Sequence, residues 1–161
     1  MDIVYLNGEY LAADKAVVSV FDRGFLFADS VYEVIPFYRG VGFQLEQHLS
    51  RLEYSLAQLR IEAAMPWRQI CEGLVERNGS GDLSVYLQIT RGAAQGRNHA
   101  IDTKLAPTVF ACCRPIHDNY SCSVDEIVPI SVIVTEDLRW KRCDIKATTL
   151  LPNILAQQQA A

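Results

Sequence analysis

Residues 22–33 read DRGFLFADSVYE, and this stretch decides how the neighbouring sequence is interpreted. Its first three residues, Asp22-Arg23-Gly24, interrupt an apolar run over residues 17–21 that predicts a short strand. Residues 30–38 are rich in Val, Ile, Tyr and Phe, side chains that favour strands, so they predict a longer strand after a turn.

The sequence on either side alternates between strand and helix patterns. Residues 3–6 and 9–11 flank Asn7-Gly8, a strong signal for a type I′ turn between two strands. From residue 46 to 60, leucines recur at three- and four-residue spacing, which predicts an amphipathic helix. Further elements are predicted at 42–45 (a returning hairpin strand), 66–78 (a helix begun by a proline and ended by an Asn-Gly-Ser-Gly turn), 83–90, 108–113 and 127–134 (strands), and 150–161 (a helix).

The composition excludes several classes of protein. With 15 basic and 19 acidic residues the formal net charge is −4, which argues against a nucleic-acid partner. Five cysteines, an odd number without a Cys-x-x-Cys pair, favour a reduced cytoplasmic setting, and the three histidines form no zinc-ligand cluster with them. The first residues lack the basic and apolar regions of a signal peptide, and no run approaches the roughly 20 apolar residues of a membrane span.

The 161 residues are enough for one compact domain or two small ones. The polar residues 115–123 predict a boundary between an N-terminal α/β domain over residues 1–120 and a second domain over residues 123–161. Because the part after residue 122 has too few elements for a core of its own, we expect this second domain to be incomplete. The predicted fold class is α+β, and both a truncated chain and a complete protein with a frayed last helix fit this pattern.

Lys146 is the first candidate for chemistry. A lysine in a mixed segment such as residues 139–145 (RWKRCDI) is usually a solvated surface residue. The apolar neighbour Ile145 indicates partial burial, however, and Lys141 and Arg142 lie close in sequence. Burial and like charge both lower the pKa of a lysine, which an amine nucleophile needs in order to attack an aldehyde.

Two further sites could bind anions. Arg51 lies on the predicted helix 46–60, where it could pair with Glu46 or Glu53 as an exposed arginine, or act as a fork for phosphate or carboxylate. Arg97 and His99 lie one residue apart in a loop with glycines on its N-terminal side. They could grip a carboxylate together, or they could be solvated loop charges.

Four motifs together resemble those of fold-type-IV pyridoxal-phosphate aminotransferases. They are residues 22–33, His48-Leu49-Ser50-Arg51-Leu52, Thr90-Arg91-Gly92, and residues 140–146 (WKRCDIK) followed by Leu150-Leu151 and Asn153. The resemblance covers the whole chain but only part of the family's usual length. Within the family it is closest to the D-amino-acid aminotransferases, which are distinguished by an Arg-x-His pair.

This resemblance implies pyridoxal 5′-phosphate as cofactor and transamination of an amino acid, such as D-alanine, with a 2-oxo acid by a ping-pong mechanism. Lys146 would hold the cofactor as a Schiff base and transfer the proton, and Arg51 would anchor the phosphate. Tyr32, which by itself reads as a half-buried packing residue, would bind the substrate carboxylate with Arg97 and His99. The resemblance also implies a homodimer in which Arg97 and His99 serve the partner subunit's site.

The sequence departs from the family's pattern at Ser30, where glycine is common, at Pro152, and in an Arg91-to-Arg97 spacing one residue longer than expected. The acidic partner of the pyridine nitrogen and the main phosphate-binding turns have no counterpart in these residues. We therefore expect the chain alone to bind cofactor weakly. The alternatives are a branched-chain L-amino-acid transaminase, an aminodeoxychorismate lyase and a catalytically inert fragment.

Overall fold

The structure is a computed structural model that describes residues 2–79, 81–101, 104–116, 123–127 and 129–160. Its strands are β1 (Ile3–Leu6), β2 (Glu9–Ala12), β3 (Ser30–Tyr38), β4 (Val41–Gly42), β5 (Leu83–Thr90) and β6 (Thr108–Pro115). Its helices are α1 (Arg23–Phe27), α2 (Leu45–Leu59), α3 (Trp67–Asn78) and α4 (Leu151–Ala160), with 3-10 turns at Ala13–Lys15 and Val124–Glu126. This mixture confirms the α+β prediction.

The strands form one antiparallel sheet in the order β2-β1-β6-β5-β3-β4. β5 is the central strand, because it pairs along its whole length with β3 on one side and with β6 on the other. Asn7 and Gly8 join β1 to β2 with φ angles of 50° and 107°. A type I′ turn requires positive φ at both of these positions, so the turn prediction is confirmed.

The helices α2 and α3 cover one face of this sheet, and the hydrophobic core lies between the two layers. Side chains alternate between the faces of a strand, so every second residue of β3 is buried: Val31, Glu33, Ile35 and Phe37 are fully buried. The opposite face carries a row of aromatic rings. The ring centroids of Tyr32 and Tyr86 are 5.7 Å apart, and those of Tyr86 and Phe110 are 6.4 Å apart.

The chain lies against the sheet again at residues 145–148. The backbone N–H of Tyr32 donates to the carbonyl of Lys146 at 3.0 Å, and that of Thr148 donates to the carbonyl of Ser30 at 3.2 Å. Ala147 bridges to Val31 between these two bonds. The segment therefore extends the sheet beside the first residues of β3, which β4 does not reach.

Two strand predictions are wrong, and of a third, at residues 42–45, only Gly42 lies in a strand, because α2 begins at Leu45. Residues 17–21 form no strand, and Val17 and Phe21 are exposed. Residues 127 and 129–134 are likewise irregular, and Val134 is fully exposed. Both runs have β-branched side chains, but a strand forms only when a neighbouring strand takes its backbone hydrogen bonds, and in the described part of the chain none lies beside either run.

The other differences are smaller. The residues of α1 were expected to form a turn, and the last helix is confirmed as Leu151–Ala160, with residue 161 outside the described residues. The proposed boundary between 120 and 123 lies largely on residues 117–122, which are outside the described residues, so the division into two domains stays a prediction. Among the residues described, no helix has the length and apolar character needed to cross a membrane.

Candidate active site around Lys146

The backbone on both sides of Lys146 is fixed, and this directs its side chain away from the core. Its N–H donates to Ser55 Oγ on α2 at 3.2 Å, and its carbonyl accepts from Tyr32 at 3.0 Å. The flanking residues Ile145 and Ala147 are buried in the core. Because side chains alternate along an extended segment, Lys146 points to the opposite side. There its Nζ lies 4.2 Å from the centroid of the Tyr32 ring, a cation–π contact.

Lys146 and Tyr32 line the same cleft, which has a volume of about 210 Å³. The rest of its wall comes from the segment that carries the lysine and from the start of α4, including Trp140, Thr149 and Asn153. An amine and a phenol ring thus face one small open space. Two of the residues predicted to act on the substrate are brought together by the fold.

Arg51 is anchored by Glu33 of β3, not by the helix neighbours Glu46 or Glu53. Its Nε and Nη2 donate to the two carboxylate oxygens of Glu33 at 2.6 and 2.7 Å, a bidentate pair. The same carboxylate contacts His48 Nδ1 at 2.8 Å. Glu33 is fully buried, whereas the side chain of Arg51 is 48% exposed. The hydrogen bond with Glu33 raises the pKa of the Arg51 guanidinium further above its usual range.

Arg97 and His99 do not line the Lys146 cleft. They lie on an exposed loop beside Phe27, with the Arg97 Cζ 5.0 Å and the His99 ring centroid 5.3 Å from the centre of the Phe27 ring. His99 lines a separate cavity of about 390 Å³, whose wall shares Trp140, Ala147 and Thr149 with the Lys146 cleft. Within one chain, Tyr32 therefore lines the Lys146 cleft and His99 the second cavity, while Arg97 lines neither of them.

A buried charged cluster underlies this second cavity. Asp29 Oδ2 accepts from Arg23 Nε and from Arg91 Nε, both at 2.8 Å, and Asp29 Oδ1 accepts from Arg91 Nη2 at 3.0 Å. Burial alone would raise the pKa of the Asp29 carboxyl, but the hydrogen bonds and charges of the two arginines outweigh it and lower that pKa. Arg91 also donates to the carbonyls of Leu59 and Arg60, and so caps the end of α2.

Sequence reasoning missed the residues that support the site. Glu33 shares its strand face with Val31 and Ile35, so its position among buried apolar residues was a signal that a partner charge must lie nearby. Ser55 gave no such signal, because its role depends on a segment 91 residues away. Ser30, noted as a departure from the family, is fully buried, and its hydroxyl lies 2.5 Å from that of Thr148, which fastens the lysine segment to β3.

Known proteins resemble this chain along nearly its whole length. The family model of amino-transferase class IV matches residues 30–161. A D-alanine aminotransferase of Bacillus licheniformis is 36% identical over 160 residues, which is 98% of this chain and 55% of that protein. A D-alanine aminotransferase of Listeria monocytogenes is 38% identical over 164 residues, again 98% of this chain and 55% of that protein. The chain therefore spans about half the length of the curated relatives it matches.

Solved structures share the fold. The branched-chain amino acid aminotransferase of Escherichia coli has a TM-score of 0.66 and 21% identity, over 71% of this chain and 41% of its own. A hypothetical aminotransferase from Mycobacterium tuberculosis, solved in its PLP-bound form, has a TM-score of 0.59 at 21% identity, over 71% of this chain and 40% of its own. Pyridoxal 5′-phosphate is the cofactor of this family. With the family model matched over most of the residues and two relatives above 30% identity, the chain belongs to the class IV amino-transferases.

Proposed function

We propose that the protein containing this chain is a pyridoxal-phosphate-dependent aminotransferase that transfers the amino group of a D-amino acid, such as D-alanine, to a 2-oxo acid. The observation that carries the proposal is the Lys146 amine, held by its backbone in a cleft over Tyr32. The names of the curated relatives support the choice of a D-amino acid.

The side chains present fit this cofactor. An aldehyde needs a primary amine at an open surface, and Lys146 lines the cleft with its Nζ over an aromatic ring. A phosphate needs a fixed guanidinium, and Arg51 has two of its nitrogens fixed by Glu33 while about half of its side chain stays exposed. We propose that Lys146 binds the aldehyde carbon and that Arg51 binds the phosphate.

When bound, pyridoxal 5′-phosphate supplies an electron sink that stabilises negative charge at the substrate α-carbon. The protein must then move one proton. We propose that the Lys146 amine would accept the proton of the substrate α-carbon as general base and, as general acid, would deliver it to the C4′ carbon of the cofactor, the proton shift that transamination requires. The Tyr32 ring lies 4.2 Å from Nζ and keeps the amine over the cleft.

We propose that the substrate carboxylate is bound by Tyr32 together with Arg97 and His99. Since Arg97 and His99 lie outside the Lys146 cleft, they would act in the site of the partner subunit in a homodimer. A cationic arginine and an imidazole one residue apart can hold the two oxygens of one carboxylate. A comparison of D- and L-alanine as amino donors tests the stereochemical part of the proposal, and equal or greater activity with L-alanine would overturn it.

The lysine assignment is tested by adding pyridoxal 5′-phosphate, reducing with borohydride and locating the adduct by mass spectrometry. We expect an absorbance band near ~410–420 nm and an adduct on Lys146, and we expect Lys146→Ala to lose both. Lys141→Ala is the matched control, because Lys141 lies five residues away on the same segment and is exposed. An adduct that persists in Lys146→Ala and disappears in Lys141→Ala would refute the assignment.

A further inference from the structure

Arg97-Asn98-His99, which we call the RNH loop, is exposed, yet its backbone is fastened by a buried arginine. Arg23 is only 5% exposed. Its Nη1 donates to the carbonyl of Asn98 at 2.6 Å and reaches that of Ala100 at 3.4 Å. A charged donor on a main-chain carbonyl is a strong hydrogen bond. The loop is thus held from the protein side at both ends of His99.

The side chains of Arg97 and His99 in the RNH loop rest on one aromatic ring, that of Phe27. Phe27 lies 5.0 Å from the Arg97 guanidinium carbon, in cation–π range, and 5.3 Å from the His99 ring at an interplanar angle of 65°. Arg23 contacts the same ring at 4.9 Å. Because Arg97 and His99 share a support, their positions relative to each other are set by Phe27 as well as by the backbone.

The buried cluster has two positive charges and one negative charge, and this imbalance explains why Arg23 also donates to the carbonyls of this loop. Asp29 is one carboxylate between two guanidinium groups, those of Arg23 and Arg91. Each arginine therefore needs further acceptors for its remaining N–H groups, since a buried, unpaired cation is costly. Arg91 finds them at the end of α2, and Arg23 finds them in the RNH loop and its neighbour Ala100.

We propose that Arg23 and Phe27 are positioning residues for carboxylate recognition, which fix the RNH loop so that Arg97 and His99 present their side chains at a set spacing. The inference rests on the proposed function for the identity of the ligand, a carboxylate. A preorganised pair loses less side-chain entropy on binding than two mobile loop residues would. Arg23 and Phe27 touch neither the substrate nor Lys146 in this proposal and act through the loop.

The imidazole of His99 provides a direct readout, because an aromatic ring 5.3 Å away shifts its proton resonances. The chain has three histidines, so the NMR signals of His99 can be assigned with a His99→Gln variant. We expect Phe27→Leu and Arg23→Lys to move the His99 signals towards the positions of a free histidine. Arg91→Lys is the matched control, since it weakens the same Asp29 cluster without touching the RNH loop. His48, bonded to buried Glu33, reports in every sample whether the core is intact.

Trypsin gives a second readout, because Arg97 is itself a cleavage site. We expect cleavage after Arg97 to be roughly tenfold faster in Arg23→Lys than in the Arg91→Lys control, as local opening of the loop becomes easier. If the His99 signals and the cleavage rate of both loop variants match wild type while His48 is unchanged, the proposal is wrong. If Arg23→Lys fails to fold, Phe27→Leu decides alone, since Phe27 is only half-buried.

The active enzyme separates this inference from the proposed function. Arg23→Lys and Phe27→Leu should raise KM for the amino donor roughly tenfold with kcat within about twofold, because carboxylate binding changes and the lysine chemistry does not. A cofactor adduct on Lys146 with no change in KM or in the His99 signals would refute the positioning role and leave the aminotransferase proposal standing. Altered His99 signals without any Lys146 adduct would refute the aminotransferase proposal and leave the loop contacts standing.

Discussion

Replacing Asp29 by asparagine should be among the most destabilising single changes in this protein. The Asp29 carboxylate accepts three hydrogen bonds from Arg23 and Arg91, and each arginine is only 5% exposed. An asparagine could accept with one oxygen only and would turn its NH₂ group towards guanidinium donors. Two buried cations would then lack their counter-charge. Breaking a buried ion pair in this way costs about 3–5 kcal/mol.

The assay is urea denaturation at pH 7, with the free energy of unfolding compared between wild type and Asp29→Asn. Asp137→Asn is the control, because Asp137 makes the same kind of bonds to Arg139 at the surface, with side chains 59% and 52% exposed. We expect no measurable change for this control. A loss below about 1 kcal/mol for Asp29→Asn would refute the reasoning, since the arginines would then be stable without the carboxylate.

The pH dependence gives the same prediction an independent check. The pKa of Asp29 is lowered by Arg91 and Arg23 against the opposing effect of burial. A carboxyl with a depressed pKa stabilises the folded state above its ordinary value of 3.8, and this contribution is lost as pH falls through the folded-state pKa. A protonated Asp29 resembles asparagine in shape and charge. The difference between wild type and variant should therefore shrink below about pH 4, and a difference that stays constant would contradict this account of the cluster.

Three further predictions concern packing and reactivity. A Cβ at Gly24 would collide with the Thr90 side chain, whose own Cβ would lie 2.9 Å away. Gly24→Ala should therefore lower the free energy of unfolding, measured by urea denaturation, by about 1–3 kcal/mol. An unchanged free energy of unfolding would show that α1 can move. Leu74→Ala removes a fully buried side chain between α3 and the sheet and leaves a cavity. It should lower the free energy of unfolding by about 2.7–5 kcal/mol in the same assay. A loss below about 1 kcal/mol would mean that the surrounding side chains fill the cavity. Burial raises the pKa of the Cys71 thiol to about 12, whereas Cys143 is exposed. A thiol reagent at about pH 8 should therefore label Cys143 in the native state and Cys71 only after unfolding. Equal labelling rates of the two cysteines in the native state would contradict the burial of Cys71.

The sequence predicts best those strands in which apolar and polar residues alternate. In β5, Val85, Leu87 and Ile89 alternate with polar residues, and both ends of the predicted strand are correct. The failed strand at residues 17–21 has the same β-branched composition without a partner strand among the described residues. The composition of a segment indicates its preference for a strand. Whether the strand forms depends on pairing with a neighbouring strand, and therefore on the whole fold.

α1 was missed for a different reason. Five residues cannot show a helical period, and what holds the helix is a cap: Asp22 Oδ1 accepts from the Gly24 N–H at 2.8 Å. The other carboxylate oxygen of Asp22 accepts from the hydroxyls of Thr90 and Thr108, 68 and 86 residues further along the chain. A turn and a short capped helix therefore differ only through contacts that no local reading of the sequence can supply.

In the candidate active site, too, the sequence identifies residues but not the distant contacts that position them. Lys146 and Tyr32, named from the sequence, meet in one cleft, but the contacts that place them are made by the main chain and by Ser55. Because the hydrogen bonds of Lys146 use its own N–H and carbonyl, and because Ile145 and Ala147 anchor the segment in the core, the lysine side chain contributes little to its own placement. Lys146→Ala should leave this backbone where it is. A loss of cofactor binding in that variant would therefore report the missing amine and not a displaced segment, and this makes the lysine the most informative position at which to test the proposed chemistry.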